Sequence, residues 1–406
     1  MIRPRLDFVR IKAEAQALSA QLVQRGFPNG YEMVSKLVAM REAEIAARKQ
    51  LEQAQAQRNQ HELLTKIEMT SLKEDIARFK LQVQDLSDKV DALAMPLPNW
   101  THPQTPIGPE NNARVVRSNV AEAPPVDKSA KDHLAILDST MLDFESATKT
   151  SGSRFVFLKG KAALCELGLI NFALKRLLKK DFTPVSAPDL VKPWLLEACG
   201  FQPRGEATQT YHIANHDLCL TGTAEVPLAG LFAGQSIDKT TRLAGFGHCF
   251  RTEAGAAGAK QKGLYRMHQF TKLEMFVGTT AEESDAEFDV LVDLQVEICE
   301  ALGLGYRVLN MPTEELGASA YRKFDVEVWM PGSNRWGEVA SITNCQDFQA
   351  RRLDCKFAGK GYAHTLNGTA LAVPRVLLAL TETHQQPNGK VLLPRALQDV
   401  VGFEYL

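Results

Sequence analysis

"CFRTEAGAAGAKQKGLYRMHQFTKLEMF", residues 249–276, sets two strand-like arms around a loop of small residues and lysines. On an alternating strand Arg251 and Glu253 share one face, and Phe270, Lys272 and Glu274 share a face on the returning arm. The hairpin then turns cations, two acids and an aromatic ring toward one pocket. An arginine fork suits a phosphate, an aromatic face suits a base, and a carboxylate suits an ammonium or amino donor. The same composition also fits an exposed hairpin with cross-strand ion pairs, so the surrounding sequence has to decide.

Three further stretches add chemistry. "TGTAEVPLAG" places Thr223 and Glu225 two apart after an apolar strand, again on one face. "GEVASITNCQDFQARR" brings Glu338 and Ser341 beside Asn344, an oxygen-rich set suited to a hard divalent cation that keeps several waters, although Glu-x-x-Ser is also an ordinary capping arrangement. "TLNGTALAVPRVLLALTETHQQPNG" runs from a small-residue strand into an apolar helix with Arg375 near its start, where a ligand can approach closely and the helix dipole favours phosphate.

The strand-like segments "HDLCLTGTAEV", "RLAGFGHCFRTE", "HQFTKLEMFVGT" and "KFDVEVWMP" alternate with helical ones such as "GKAALCELGLINFALKRLLKK". In the last strand Phe324, Val326 and Val328 oppose Asp325, Glu327 and Trp329. Strands that follow one another without an intervening helix predict an antiparallel sheet, not a doubly wound one. Neither G-x-G-x-x-G nor G-x-x-x-x-G-K-[ST] occurs, so the two commonest nucleotide-binding fingerprints are missing.

Upstream, Tyr31 to Met95 holds neither glycine nor proline, in a chain with 27 and 19 of them. Only helix tolerates such a stretch cheaply. Leu72, Ile76, Phe79, Val83, Leu86, Val90 and Leu93 form a heptad seam; Leu37, Met40, Ala47, Leu51 and Ala54 continue it less cleanly, interrupted by Glu44 and Arg58. Between them, Thr65 to Ser71 offers a cap for a new helix. The spacing predicts an antiparallel hairpin of two helices of roughly 30 residues each, an arm on the order of 45 Å long. A hairpin packed into a bundle core is the alternative. "MPLPNWTHPQTPIGPENN" then breaks the helix with five prolines. The division read from this is an N-terminal domain, 1–100, with the hairpin at about 31–95, then a linker, 101–130, and a mixed domain, 131–406. The fold class expected is α+β.

Composition sets the outer limits. At 406 residues and 45% hydrophobic, the chain can bury a large core in two or three domains. A formal charge of -1 announces no nucleic-acid partner, although a basic face can hide inside a neutral total. The seven cysteines at 165, 199, 219, 249, 299, 345 and 355 contain no C-x-x-C pair, which argues against a disulfide framework or structural zinc and for a reducing compartment. No apolar run approaches a membrane span, so no membrane partner is expected. "MIRPRLDFVRIKAEAQ" fits either the stub of an organellar presequence or the first strand or helix of the domain.

Taken together these stretches resemble seryl-tRNA synthetases, class II aminoacyl-tRNA synthetases, over essentially the full length. The hairpin resembles that family's tRNA-binding arm, "DFTPVSAPDL" its motif 1 with Pro188, the stretch 249–276 its motif 2, and "LNGTALAVPR" its motif 3. The wording "YHIANHDLCLTGTAEVPL" and "GLYRMHQFTKLEMF" looks closer to the fungal or organellar branch. The resemblance implies an antiparallel class II sheet flanked by helices, and a ligase that activates L-serine with ATP and passes it to tRNA(Ser). It implies catalytic roles for Arg251, Glu338 and Arg375, with Arg251 on the α-phosphate and the serine carboxylate. ATP contacts extend to Thr252, Glu253, Phe270, Leu273, Val339, Ala340 and Ser341: Glu253 on the adenine amino group, Phe270 stacked beneath it, Arg375 above it and on the γ-phosphate. Glu338 and Ser341 match the Mg2+ positions. Thr223, Ala224, Glu225, Asn367, Glu274 and Thr369 match the serine pocket, the last two on the substrate hydroxyl, where an alanine substrate would leave Glu274 unpaired. A homodimer follows from motif 1, and the mitochondrial matrix from the branch, with the cytoplasm as alternative. Ala370 and Ala372 stand where the class pattern prefers glycine, "GEVAS" replaces a more serine-rich version, and the arm is somewhat short. Two other readings compete: a silent paralogue that binds RNA or protein, and a ligase for a non-tRNA acceptor.

Overall fold

A computed structural model describes residues 4–59, 65–120, 124, 129–201, 208–254 and 263–406. Two compact units divide the chain, Met1–Trp100 and Thr101–Leu406. The small-residue loop at 255–262 and the first three residues of the presequence reading lie outside the described residues, as does much of the latter part of the 101–130 stretch.

In the first unit two short helices, α1 (Phe8–Ala13) and α2 (Ala15–Gln24), precede two long ones, α3 (Gly30–Asn59) and α4 (Lys66–Ala94). Thr65 caps α4: its hydroxyl accepts from the Glu68 N–H at 3.3 Å, and the Glu68 carboxylate accepts from the Thr65 N–H at 2.8 Å. Two orphan donors of the first turn are thereby satisfied, which fixes where the new helix starts. Along the seam Ile76, Val83 and Val90 are buried on α4, as are Leu37, Ala47 and Ala54 on α3. Glu44, an interruption by composition, is in fact part of this seam. Its side chain is 1% exposed and is held at 2.5 Å by Arg41 and at 2.7 Å by Arg48 on the same helix. An ionised carboxylate survives burial only with such partners.

The second unit is built on an eight-stranded sheet. Its strands are β1 (Arg114–Ser118), β2 (Thr183–Ser186), β3 (Thr241–Phe250), β4 (Gln269–Thr279), β5 (Tyr306–Asn310), β6 (Arg322–Met330), β7 (Arg335–Gln346) and β8 (His364–Ala372). Their spatial order is β1-β5-β6-β7-β8-β4-β3-β2. Every neighbouring pair is antiparallel except β2 with β3. The stretch read as a linker therefore needs correction, because residues 114–118 pair with β5 as an edge strand.

One face of the sheet is the core. Leu273, Met275 and Val277 of β4, Ala340 and Ile342 of β7, and Leu366, Ala370 and Leu371 of β8 bury against α5 (Gly160–Leu178) and two further helices, α7 (Ser284–Ala301) and α8 (Val373–Thr383). The alternate residues of the same strands form the opposite, polar face. Because side-chain direction alternates at every residue, a single bulge re-aims everything beyond it. Two such bulges, one in β7 and one where β4 meets β8, shape the polar face.

Among the described residues, no helix is long and apolar enough to cross a membrane. All seven cysteines are buried, and none forms a disulfide.

Candidate active site

On the polar face two cavities meet. One is lined by Arg251, Glu253, Tyr265, Arg266, Phe270 and Arg375, with Val339 and Pro374 in its wall. The other, about 390 Å3, is lined by Thr223, Glu225, Glu274, Lys323, Ser341 and Asn367, with Ser319 and Thr343. Arg251, Lys272, Glu338 and Thr369 line both. A polar site of this size with convergent charges suits a small charged ligand.

Strand register explains the gathering. In β7 the pairing shifts between Val326↔Ala340 and Glu327↔Glu338, leaving Val339 as the extra residue. Without that bulge Glu338 and Ser341, three apart, would point to opposite faces; with it both reach the cavity. A second shift, between Leu273↔Leu371 and Glu274↔Thr369, sets Thr369 opposite Glu274 while Ala372 faces Lys272. Gly245 and Gly247 stand across from Glu274 and Lys272 on β3. A Cβ at Gly245 would meet the Leu228 side chain at 2.7 Å, so glycine here lets helix α6 (Glu225–Gly230) lie close on the sheet and bring Thr223 and Glu225 over β4.

In the first cavity Arg251 lies just past the end of β3, its guanidinium carbon 5.2 Å from the Phe270 ring centroid. Arg251 and Glu253 are thus not strand neighbours sharing a face, as the alternation suggested. Glu253 has φ 55°, which turns its carboxylate back to an ion pair with Arg266. The Arg375 guanidinium contacts Glu338 twice, at 3.0 Å on the carbonyl and 3.2 Å on the carboxylate. It also lies 4.7 Å from the Tyr265 ring centroid. Burial alone would raise the Glu338 carboxyl, but Arg375, Lys323 and Arg251 together hold it below its ordinary range. Arg375 is correspondingly held in its charged form, burial being outweighed by Glu338.

The second cavity is charge-rich. Lys272 Nζ donates to Thr223 Oγ1 at 2.7 Å and pairs with Glu274 at 2.5 Å. Glu274 also accepts from Thr369 Oγ1 at 3.5 Å. The argument that an alanine substrate would leave Glu274 unpaired therefore needs correction, since Lys272 already neutralises it. Glu225 accepts from Gln349 at 2.6 Å and Asn367 at 2.9 Å, both through Oε1. Burial, reinforced by the charge of Glu274, pushes its carboxyl up to about 7. Asp325 pairs with Lys323 at 3.0 Å and is raised to about 6, chiefly by burial.

Several expected residues fall outside the cleft. Leu273 and Ala340 point into the core, because they occupy the alternate positions of their strands. Thr252 turns away to the carbonyl of Thr208 at 2.7 Å. Ala224 is the N-cap residue of α6 and is buried. Asn344 does not join Glu338 and Ser341; no bulge separates it from Ser341, so it faces the other side and contacts Ser284 and Asp285. Thr223 and Glu225 sit at the start of a helix, the preceding strand being only Cys219–Leu220. Conversely Tyr265, Arg266, Lys323, Asp325 and Gln349 escaped the sequence reading. Arg266 alone carried a signal there, a second arginine in the same stretch as Arg251.

A largely antiparallel sheet holding an arginine-rich cavity beside a carboxylate-lined pocket is the core of a class II aminoacyl-tRNA synthetase. The family model for the tRNA synthetase class II core domain (G, H, P, S and T) matches residues 210–384, which include every cleft side chain named above. The likeness narrows over the whole chain. It is 39% identical to the serine--tRNA ligase of Rubrobacter xylanophilus across 99% of both chains. It is 45% identical to the mitochondrial serine--tRNA ligase of Mus musculus, across 79% of this chain and 64% of that one. The crystal structure of seryl-tRNA synthetase from Pyrococcus horikoshii complexed with ATP superposes with a TM-score of 0.92 at 32% identity, covering 98% of this chain and 99% of that one. The chain belongs to the seryl-tRNA synthetase family.

Proposed function

We propose that this chain activates L-serine with ATP as seryl-adenylate and transfers the serine to the 3′ end of tRNA(Ser). The observation that carries this is the junction of the two cavities at Arg251, where one guanidinium faces both a cation-lined space bordered by the Phe270 ring and a pocket with two buried carboxylates. A serine carboxylate oxygen attacks the α-phosphorus; the new P–O bond forms as the bond to the bridging oxygen breaks, and pyrophosphate leaves. Two anions must be brought together and their charge neutralised, which Arg251 and Arg375 serve, Arg251 on the α-phosphate and Arg375 on the γ-phosphate. Phe270 offers an apolar face for adenine and Glu253, steadied by Arg266, an acceptor for its amino group. Glu225 suits the serine ammonium, and Glu274 with Thr369 its hydroxyl.

Glu338 and Ser341 supply hard oxygen donors, and Glu338 is held ionised, so the pair suits Mg2+. When bound, Mg2+ would neutralise phosphate charge and help orient the leaving group.

The α3–α4 hairpin is proposed to contact the tRNA. A homodimer is supported by α5, where Leu164, Leu167 and Leu178 are 51%, 69% and 47% exposed along one helical face, an apolar stripe suited to a second copy. The mouse relative supports the mitochondrial matrix and the bacterial ones the cytoplasm. The assay is pyrophosphate exchange into ATP. Exchange dependent on serine, followed by charging of tRNA(Ser), is expected; exchange driven equally by other amino acids, or none, would contradict the reading.

A further inference from the structure

Tyr265 ends a one-turn helix, Gly263–Tyr265, at the start of the arm returning to β4. Its side chain is 9% exposed and lies where four constraints converge. Its hydroxyl accepts the Glu338 backbone N–H at 2.9 Å. Its carbonyl accepts from Arg375 Nε at 3.4 Å. The guanidinium carbons of Arg335 and Arg375 lie 4.2 and 4.7 Å from its ring centroid. Gly337 leaves room for the ring: a Cβ there would stand 3.0 Å from Tyr265 Cε2.

Behind it the turn is braced. The Leu264 N–H donates to His133 Nε2 at 3.2 Å, which makes that nitrogen the acceptor and leaves the ring proton on Nδ1, 3.4 Å from Glu382 Oε1. Glu382, 1% exposed, also accepts from the Ser333 N–H and hydroxyl, each at 2.9 Å. Gly263 is confined to φ 67°, and a Cβ on it would collide with His133 Nε2 at 2.2 Å. The backbone carrying Tyr265 is thus tied to the hairpin between β6 and β7 and to α8 (Val373–Thr383), the helix bearing Arg375.

We propose that Tyr265 is a positioning residue for nucleotide binding: one phenol ring sets where the Arg375 guanidinium and the β7 backbone at Glu338 stand, with His133 and Glu382 bracing it from behind. A guanidinium that must meet a phosphate gains from being held in place beforehand, since its rotamers are then already restricted. Arg375 lines the first cavity only, and Glu338, which borders both, turns its carboxylate to Arg375, so loss of Tyr265 should weaken ATP and spare serine. The inference rests on the adenylation reading for its activity arm only, because ATP affinity can be measured without serine.

The test compares Tyr265→Phe, which keeps the ring but removes the acceptor of the Glu338 N–H, with Tyr265→Leu, which removes the ring as well. ATP affinity by calorimetry and the KM values for ATP and serine in exchange are measured, with melting temperature as the control. Tyr265→Phe should weaken ATP binding about fivefold and Tyr265→Leu about thirtyfold, both at unchanged serine KM. Should Tyr265→Leu fail to fold, Tyr265→Phe decides alone. ATP affinity equal to the parent's in Tyr265→Phe, or parallel losses for ATP and serine, would overturn the proposal. A parent that binds ATP but performs no serine-dependent exchange would count against the adenylation reading instead, leaving the affinity comparison to decide on Tyr265.

Discussion

Two buried glutamates, one in each unit, are held in opposite ways. Glu44 sits in the hairpin seam, gripped by Arg41 and Arg48 within one turn of its own helix. Burial alone would raise its carboxyl, but the two arginine hydrogen bonds bring it below its ordinary range. Glu225 sits in the cleft, held by the neutral amides of Gln349 and Asn367, more than a hundred residues away. Among the described residues no arginine or lysine hydrogen-bonds it directly, and its carboxyl rises to about 7. Glu44 is thus compensated locally and serves the fold. Glu225 is left undercompensated, as a group awaiting a cationic ligand would be.

The largest effect expected is at the junction. Arg251→Ala should cut exchange by about a thousandfold without unfolding the chain, because the neighbouring forks of Arg266 and Arg375 are engaged with Glu253 and Glu338 and cannot replace it. Near-normal exchange, checked alongside melting temperature, would dissolve the distinction between cleft and scaffold. Next is the pH dependence of serine binding. An ammonium binds the ionised form of Glu225, so serine affinity should fall by roughly tenfold per pH unit below the pKa of the free enzyme. That pKa is about 7. Conversely, the raised carboxyl costs folded stability as pH climbs from the ordinary glutamate range through that value. A serine KM flat from pH 8 to pH 5 would place the ammonium elsewhere. The smallest effect is at Glu44. Glu44→Gln should cost about 1–2 kcal/mol in denaturation of the full chain, modest because both arginines are partly solvated. Since the folded carboxyl lies below its ordinary range, that contribution is complete above the unfolded pKa and disappears as pH falls through the folded one. A loss unchanged at acid pH would show that the ion pairs are not its source.

The hairpin was readable because its determinants are local. A long stretch free of glycine and proline, a heptad seam, and Thr65 with Glu68 define helix, packing face and start within a few residues of each other. Only Glu44 misled, since its partners at spacings of three and four look like an ordinary solvated face. The antiparallel sheet was legible in the alternation of residues 323–330 and in the missing nucleotide fingerprints. The cleft was harder. Whether Glu338 meets Ser341, or Asn344 does, turns on one bulge at Val339, set by pairing with β6 and invisible in either strand alone. Tyr265, Asp325 and Gln349 look like core or surface residues until register and helix placement bring them to the polar face. Glu338 and Arg375 stood out by residue chemistry alone, whereas the resemblance drew Leu273, Ala340 and Thr252 toward the site, where their side chains do not point.

The central claim is a division of labour: the cleft performs adenylation and the hairpin selects the RNA. It is tested by deleting residues 36–92, joining the ends with a short glycine linker, and measuring serine-dependent exchange and tRNA(Ser) charging on the same preparation. Exchange should stay within about twofold of the parent, while charging collapses by a hundredfold or more and parent binding to tRNA weakens with rising salt. Undiminished charging by the armless chain, or loss of exchange together with charging in a chain that melts normally, would contradict it.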